Sequence, residues 1–181
     1  MHDIIIETER LILRPITVAD AEAAFEWVGD ERVTKYMPYF TYTSIEQVRQ
    51  WLKRVEQETH TYNFGFERKS DGLLIGSGDI GVEKKPYSNN DYWCFGYNIR
   101  YDCWNQGYTT EATKGMMKYV YEHFGARYFY ADHAEQNKAS GRVMEKCGLH
   151  FVRYGEVSKL DGSGKMRSME YEGEYDPSTV G

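Results

Sequence analysis

Cysteine is scarce in this chain of 181 residues: Cys94, Cys103 and Cys147 are odd in number and form no C-x-x-C pair. A disulfide scaffold and a zinc ribbon are both excluded. Long apolar runs are missing too. No stretch approaches the roughly 18 residues that span a bilayer, and Met1-His2-Asp3-Ile4 lacks the basic segment and apolar core of a secretion signal. Asn-x-Ser/Thr sites do not occur. Positive charge is in deficit, with 22 Lys and Arg against 28 Asp and Glu and a net charge of −6. A grip on nucleic-acid phosphates is therefore not the expected task, and an acidic surface suits cationic substrates instead. These absences describe a protein of the reducing cytoplasm, with no membrane and no nucleic acid among its partners.

What remains is an ordinary globular composition, 41% hydrophobic and 28% charged. It fits one domain over residues 1–175 with no internal linker, followed by a flexible tail at 176–181. Arg10-Leu11-Ile12-Leu13-Arg14 alternates like a strand, ended by Pro15. Thr17 with Asp20 resembles a helix-opening capping pair, and Thr43-Ser44-Ile45-Glu46 reads as a capping box before the stripe Ile45, Val48, Leu52, Val55. Two β segments, 62–68 and 73–82, flank the hairpin turn Lys69-Ser70-Asp71-Gly72. Strands follow at 91–100, 127–133, 151–159 and 166–175, and helices at 109–124 and 137–147. Glu83 to Asp91, through Pro86, reads as an exposed connection, and Asp161-Gly162-Ser163-Gly164 as the last turn. Strands and helices in this order predict an α/β (α+β) fold: a mixed, mostly antiparallel sheet of about seven strands with about four helices packed on its faces.

Gly76-Ser77-Gly78-Asp79-Ile80-Gly81 spells G-x-G-x-x-G, but Val82 continues the strand where a dinucleotide site needs a helix N-terminus. Glycines thinning a strand are the better explanation. Val82 also stands where a P-loop needs Lys. The informative segment is Trp104-Asn105-Gln106-Gly107-Tyr108-Thr109-Thr110-Glu111-Ala112, a short turn from an aromatic strand into a helix. Unpaired N–H groups and the positive end of the helix dipole meet there and suit a diphosphate, with Gly107 admitting close approach. A plain capped helix start accounts for the same pattern. A second such junction is Asn137-Lys138-Ala139-Ser140, where an amide and a hydroxyl three residues apart share a helix face. Asn137 is also a natural cap.

These two segments, together with Thr8-Glu9-Arg10-Leu11-Ile12-Leu13-Arg14, resemble the GNAT acetyltransferase superfamily in its RimJ/RimL-like ribosomal-protein N-acetyltransferase branch, across nearly the whole chain. The resemblance implies acetyl-CoA-dependent acetylation of a primary amine, on a protein N-terminus or a small molecule, with no metal and with a homodimer as one assembly. It implies a splay between two central strands, with the pantetheine arm pairing along 95–101 through the backbones of Ile99 and Arg100. Gln106, Gly107, Tyr108, Thr109 and Thr110 would hold the pyrophosphate, Asn137 the arm, and Ser140 the sulfur. Three positions depart from the family pattern. Trp104 and Thr109 replace the ends of the usual loop, Met144 stands where many members place an acidic Tyr, and Cys94 stands where a Glu base is common.

Ser140 is thus the expected proton donor to the thiolate, against a simple capping role. His133, at the end of the strand before Asn137, is the expected base, with an ordinary pKa near 6.5; a water chain serves equally, and Asp132 points to the other face. Trp27, Tyr36, Tyr39, Phe40 and Tyr42 are candidates to line the acceptor cleft, and Lys138, Arg142 and Lys146 to meet phosphates. A coenzyme-binding sensor without turnover is the alternative function.

Overall fold

A computed structural model describes residues 3–85, 87–160, 162 and 164–179. Met1, His2, Pro86, Asp161, Ser163 and the last two residues lie outside the described residues, and with them part of the expected connection, last turn and tail. Eight strands form one sheet: β1 (Ile6–Glu7), β2 (Leu11–Pro15), β3 (Thr61–Arg68), β4 (Leu73–Lys84), β5 (Asp91–Ile99), β6 (Tyr128–Ala134), β7 (His150–Ser158) and β8 (Lys165–Glu174). Their spatial order is β1-β2-β3-β4-β5-β6-β8-β7. Every neighbouring pair is antiparallel except β5 and β6. A parallel pair needs a crossover, and helix α4 (Tyr108–Phe124) provides it.

Helices cover both faces. On one side α4 and α5 (Lys138–Lys146) pack over Phe64, Phe66, Ile80, Phe95 and Phe129, with Met116, Met117 and Met144 filling between. On the other, α1 (Ala21–Val28), α2 (Glu31–Thr34) and α3 (Ile45–Gln57) enclose Trp27, Val48, Leu52 and Leu74. The expected G-x-G-x-x-G stretch lies wholly inside β4. Its glycines thin the strand: a Cβ on Gly78 would stand 2.6 Å from the Phe66 ring and 2.8 Å from the Gly96 carbonyl. The hairpin turn closes as expected, with Gly72 at φ +69° donating to the Arg68 carbonyl.

Two elements, β1 and α2, exceed the expected set. At two and four residues they are too short to carry a periodic signal. The expected capping box shifts by one residue: Ser44, not Thr43, caps α3, accepting from the Gln47 amide, while Thr43 N–H donates to Gln47 Oε1 at 2.8 Å. Thr17 and Asp20 do pair, through the Thr17 amide at 2.9 Å, but they close a 3-10 turn ahead of α1. At the other end, Pro177–Thr179 forms a short 3-10 turn.

Candidate functional site

The sheet opens between β5 and β6. Their ladder pairs only Tyr92 with Tyr128, Trp93 with Phe129 and Cys94 with Tyr130. β5 then runs on to Ile99 along β4, while β6 runs on to Ala134 along β8. The Arg100 amide donates to the Ile75 carbonyl of β4. By antiparallel alternation the peptide groups of Tyr97 and Ile99 therefore face the gap.

A cleft of about 440 Å³ enters this gap. One wall is the start of α4, where Gly107 sits at φ +83° and hands the chain into the helix. Glu111, the fourth residue of α4, donates its amide to the Gly107 carbonyl, so the first-turn amides of Tyr108, Thr109 and Thr110 lie ahead of the helical ladder. Their N–H groups carry the positive end of the helix. The opposite wall is α5, with Asn137 and Ser140 at its start and Lys138, Arg142 and Lys146 along the cleft. Asn137 Oδ1 accepts from the Ser140 amide, so it does cap the helix while lining the cleft. The far end reaches Tyr36 and Met37, on the side of the sheet that carries α1 to α3. Lys159 Nζ and the Leu160 amide donate to the Met37 and Pro38 carbonyls and pin that segment.

The Thr8–Arg14 segment explains itself here. Glu111 accepts from Thr8 Oγ1 and the Arg10 amide at 2.6 Å each, and from Arg10 Nε at 2.7 Å. Arg10 also donates from Nη1 to the Gln106 carbonyl at 2.9 Å and lies 4.4 Å above the Tyr108 ring. The chain start thereby clamps the 104–108 loop. Burial works against the Glu111 charge, but these hydrogen bonds hold its carboxyl below the usual range.

Of the expected site residues the cleft brings together Ile99, Gly107, Tyr108, Thr109, Thr110, Asn137 and Ser140. Three stand apart. The Arg100 amide and carbonyl are already bonded, to Ile75 and Cys103, so Arg100 has no free backbone group for an arm; Tyr97 takes its place on the gap-facing edge. Gln106 turns its amide back to the Asp102 carbonyl at 2.9 Å. His133 lies beneath α5, with Nδ1 on the Ala134 carbonyl at 2.8 Å and Nε2 buried against Gly141, lining a separate small cavity. Burial pushes its pKa down, leaving a neutral ring that does not line the cleft. The strand's alternation sends Asp132 to the opposite face. Trp27 is core, Tyr36 lines the cleft, Tyr39 and Tyr42 pack on the α1–α3 layer, and Phe40 is exposed.

Sequence reasoning missed two groups. The Tyr97 hydroxyl lies 3.0 Å from Ser140 Oγ, and it is buried enough to push its pKa up. Asp79 of β4 lies across from Gly96, with its Oδ1 2.9 Å from where a Cβ on Gly96 would stand. Both are strand residues whose partners lie far along the chain, so only the register reveals them. Met144, where an acidic Tyr was sought, is core. The Cys94 thiol donates to Glu83 Oε2 at 2.8 Å; burial first, then Glu83, pushes its pKa up.

The sequence profile of the acetyltransferase (GNAT) domain matches residues 10–150. Similar proteins include the uncharacterized N-acetyltransferase YoaA of Bacillus subtilis (strain 168), 31% identical over 148 residues that make up 80% of this chain and 82% of that protein. A GNAT-family acetyltransferase structure from Bacillus anthracis superposes with a TM-score of 0.78 at 25% identity, covering 93% of this chain and 97% of the other. The fold is also that of the microcin C7 self-immunity acetyltransferase MccE, solved in complex with acetyl-CoA and AMP, at TM-score 0.75 and 12% identity over 92% and 93% of the two chains.

Proposed function

The chain belongs to the GNAT acetyltransferase family, and from that premise we propose that it transfers the acetyl group of acetyl-CoA directly to a primary amine in a ternary complex, the amine being a protein N-terminus or the end of a small molecule. The observation that carries this reading is the divergence of β5 and β6 beyond Cys94. It leaves a slot with free peptide groups on one side and a helix N-terminus at its mouth. The diphosphate binds the first-turn amides of α4 behind Gly107, with Thr109 and Thr110 beside them and Lys138, Arg142 or Lys146 facing the negative charge. The pantetheine arm adds to the Tyr97 and Ile99 edge as an extra strand. The Ile99 carbonyl already accepts from the Trp104 indole at 3.1 Å, so its amide is the group left to bond.

Such an arm carries the thioester through the slot toward Tyr36 and Met37. Holding amine and thioester in line supplies several kcal/mol of barrier lowering by proximity. A gap-facing amide of β5 steadies the oxyanion. Ser140 Oγ–H serves the departing thiolate, and the Tyr97 hydroxyl, which donates to the Ser140 carbonyl at 3.0 Å and lies 3.0 Å from Ser140 Oγ, orients it. Direct transfer is favoured over an acetyl-cysteine intermediate because Cys94 is held protonated beside Glu83. A reducing cytoplasmic setting suits the three free thiols. Calorimetry with acetyl-CoA and a thiol-release assay with a panel of amines test the reading. Coenzyme binding with amine-dependent thiol release supports it, binding without release turns it into a sensor, and no binding removes it.

A further inference from the structure

On the face of the sheet that carries α1 to α3, three polar groups have no hydrogen-bond partner among the described residues: the Trp27 indole N–H, buried in the α1–α3 core, and two others. One of these two is the Tyr39 hydroxyl, fully buried. The other is the carboxylate of Asp79, which keeps part of its surface open yet is deeply enclosed. A carboxylate left in such a place without a cation is costly unless something else comes to meet it. Its position is specific. Asp79 is the cross-strand partner of Gly96, and Gly96 is the second residue after β5 leaves β6 at Cys94. Because Gly96 has no side chain, Asp79 leans over β5 at the start of the slot, on the face opposite α4 and α5.

We propose that Asp79 is the group that receives the acceptor and takes its proton, so that the acceptor is a primary ammonium whose head lies between the Asp79 carboxylate and the Tyr39 hydroxyl. The inference rests on the transferase reading above and deepens it. The groups facing Asp79 leave it little competition. Its partner on β3 is Asn63, and β5 offers Cys94 and Asn98 on the same face, of which Asn98 is bonded to Ser77 and Cys94 to Glu83. From the 35–42 segment comes Tyr39, which burial holds neutral. Helix α1 turns Ala21, Ala24, Trp27 and Val28 inward and leaves Glu22 and Glu26 exposed. Among the described residues no fixed cation answers the carboxylate, and burial pushes it up to about 6. That value suits a base at neutral pH: ionised and ready, but a stronger acceptor than an ordinary Asp.

The step balances. Asp79 removes one proton from the ammonium, and the freed nitrogen lone pair attacks the thioester carbon. The carbon–sulfur bond breaks as the tetrahedral centre collapses. The second nitrogen proton reaches the thiolate through Ser140, and the Asp79 proton returns to solvent. Ammonium plus acetyl thioester thus gives amide, free thiol and one proton.

The test uses n-butylamine as the acceptor probe. Asp79→Asn should lower kcat/KM for the amine at pH 7 by at least 100-fold, leaving the acetyl-CoA dissociation constant within twofold. The wild-type profile should fall tenfold per pH unit below about 6, a limb that the variant lacks. Gly96→Ala, which pushes a Cβ against Asp79 while keeping the carboxylate, should lose at least tenfold. Independently of turnover, the ¹³C carboxyl signal that disappears in Asp79→Asn should shift when n-butylamine is added to the protein with coenzyme A. Turnover in Asp79→Asn within threefold of wild type overturns the proposal. So does a carboxyl signal that ignores the amine. Absence of any heat with acetyl-CoA strikes the transferase reading instead, and leaves the amine-dependent shift as a separate result.

Discussion

Replacing Glu111 by Gln isolates the clamp between residues 8–10 and the loop ahead of α4. The native carboxylate accepts three hydrogen bonds, from Thr8 Oγ1, the Arg10 amide and Arg10 Nε. The Glu111 side chain is 15% exposed and that of Arg10 40%. Charge-assisted hydrogen bonds contribute about 1.5–3 kcal/mol each when enclosed. The Arg10 guanidinium is open enough that its ion pair counts at the surface figure of about 1 kcal/mol or less. Gln can keep the Oε1 acceptor and with it the Thr8 Oγ1 and Arg10 amide bonds in neutral form, while its NH2 group replaces the Oε2 that Arg10 Nε needs. The remaining loss is about 2 kcal/mol, or about 4–8 °C in melting temperature for a chain of this length. The sign with pH follows from the lowered Glu111 pKa. Its contribution is present above the unfolded value near about 4.3 and is lost as pH falls through the lower folded value. Chemical denaturation of both proteins from pH 7 to pH 2 reads this directly: a gap near 2 kcal/mol that is flat down to about pH 5 and then closes. A gap below about 0.5 kcal/mol at pH 7, or one that persists in acid, refutes the clamp.

Other perturbations separate strain, binding and chemistry. Gly107→Ala and Gly125→Ala both place a side chain at positive φ, +83° and +69°, at about 1 kcal/mol each; only Gly107→Ala should also cost at least tenfold in acetyl-CoA affinity by calorimetry, because only Gly107 lines the cleft. Ser140→Ala should lower kcat at least tenfold with acetyl-CoA affinity within threefold, and Tyr97→Phe should lower it less, since Ser140 keeps its own hydroxyl; equal turnover in thiol-release assays would remove the pair from the mechanism. Asp79→Asn should gain stability as it loses activity. The folded carboxyl titrates near 6 against about 3.9 unfolded, so the native charge is a burden that appears as pH rises from 4 to 6 and is constant above. The gain at pH 7 is at most about 3 kcal/mol, measured by urea unfolding, and should vanish below pH 4.

How much of this could be read along the chain follows from where each signal is stored. Seven of the strands and four of the helices announce themselves because their patterns repeat within one segment, as Ile45, Val48, Leu52 and Val55 do on α3. The turn into α4 was legible for the same reason: a turn, Gly107 and a helix start are consecutive in sequence. Arg100 misled because one residue in a strand decides which way a peptide group points, and that phase is set by the β4 register, here through the Ile75 carbonyl. His133 misled similarly. Its place at the end of β6 is close to Asn137 in sequence, yet its side chain turns under Gly141 and away from the cleft. Tyr97 and Asp79 were hidden because each acquires meaning only from a partner on another element, Ser140 on α5 and Gly96 on β5. The glycine stretch of β4 shows the same lesson from the other side. As a motif it spells a phosphate loop but lacks the helix that such a loop needs, and as the strand it was expected to be it does something further: Gly76 and Gly78 bring β4 close against β5, and Asp79 between Gly78 and Ile80 is delivered to the start of the slot. The proposed binding half is local in sequence and the proposed reactive half is not, because a helix N-terminus is made by neighbours in the chain, whereas a carboxylate held over a split in a sheet requires two strands to agree.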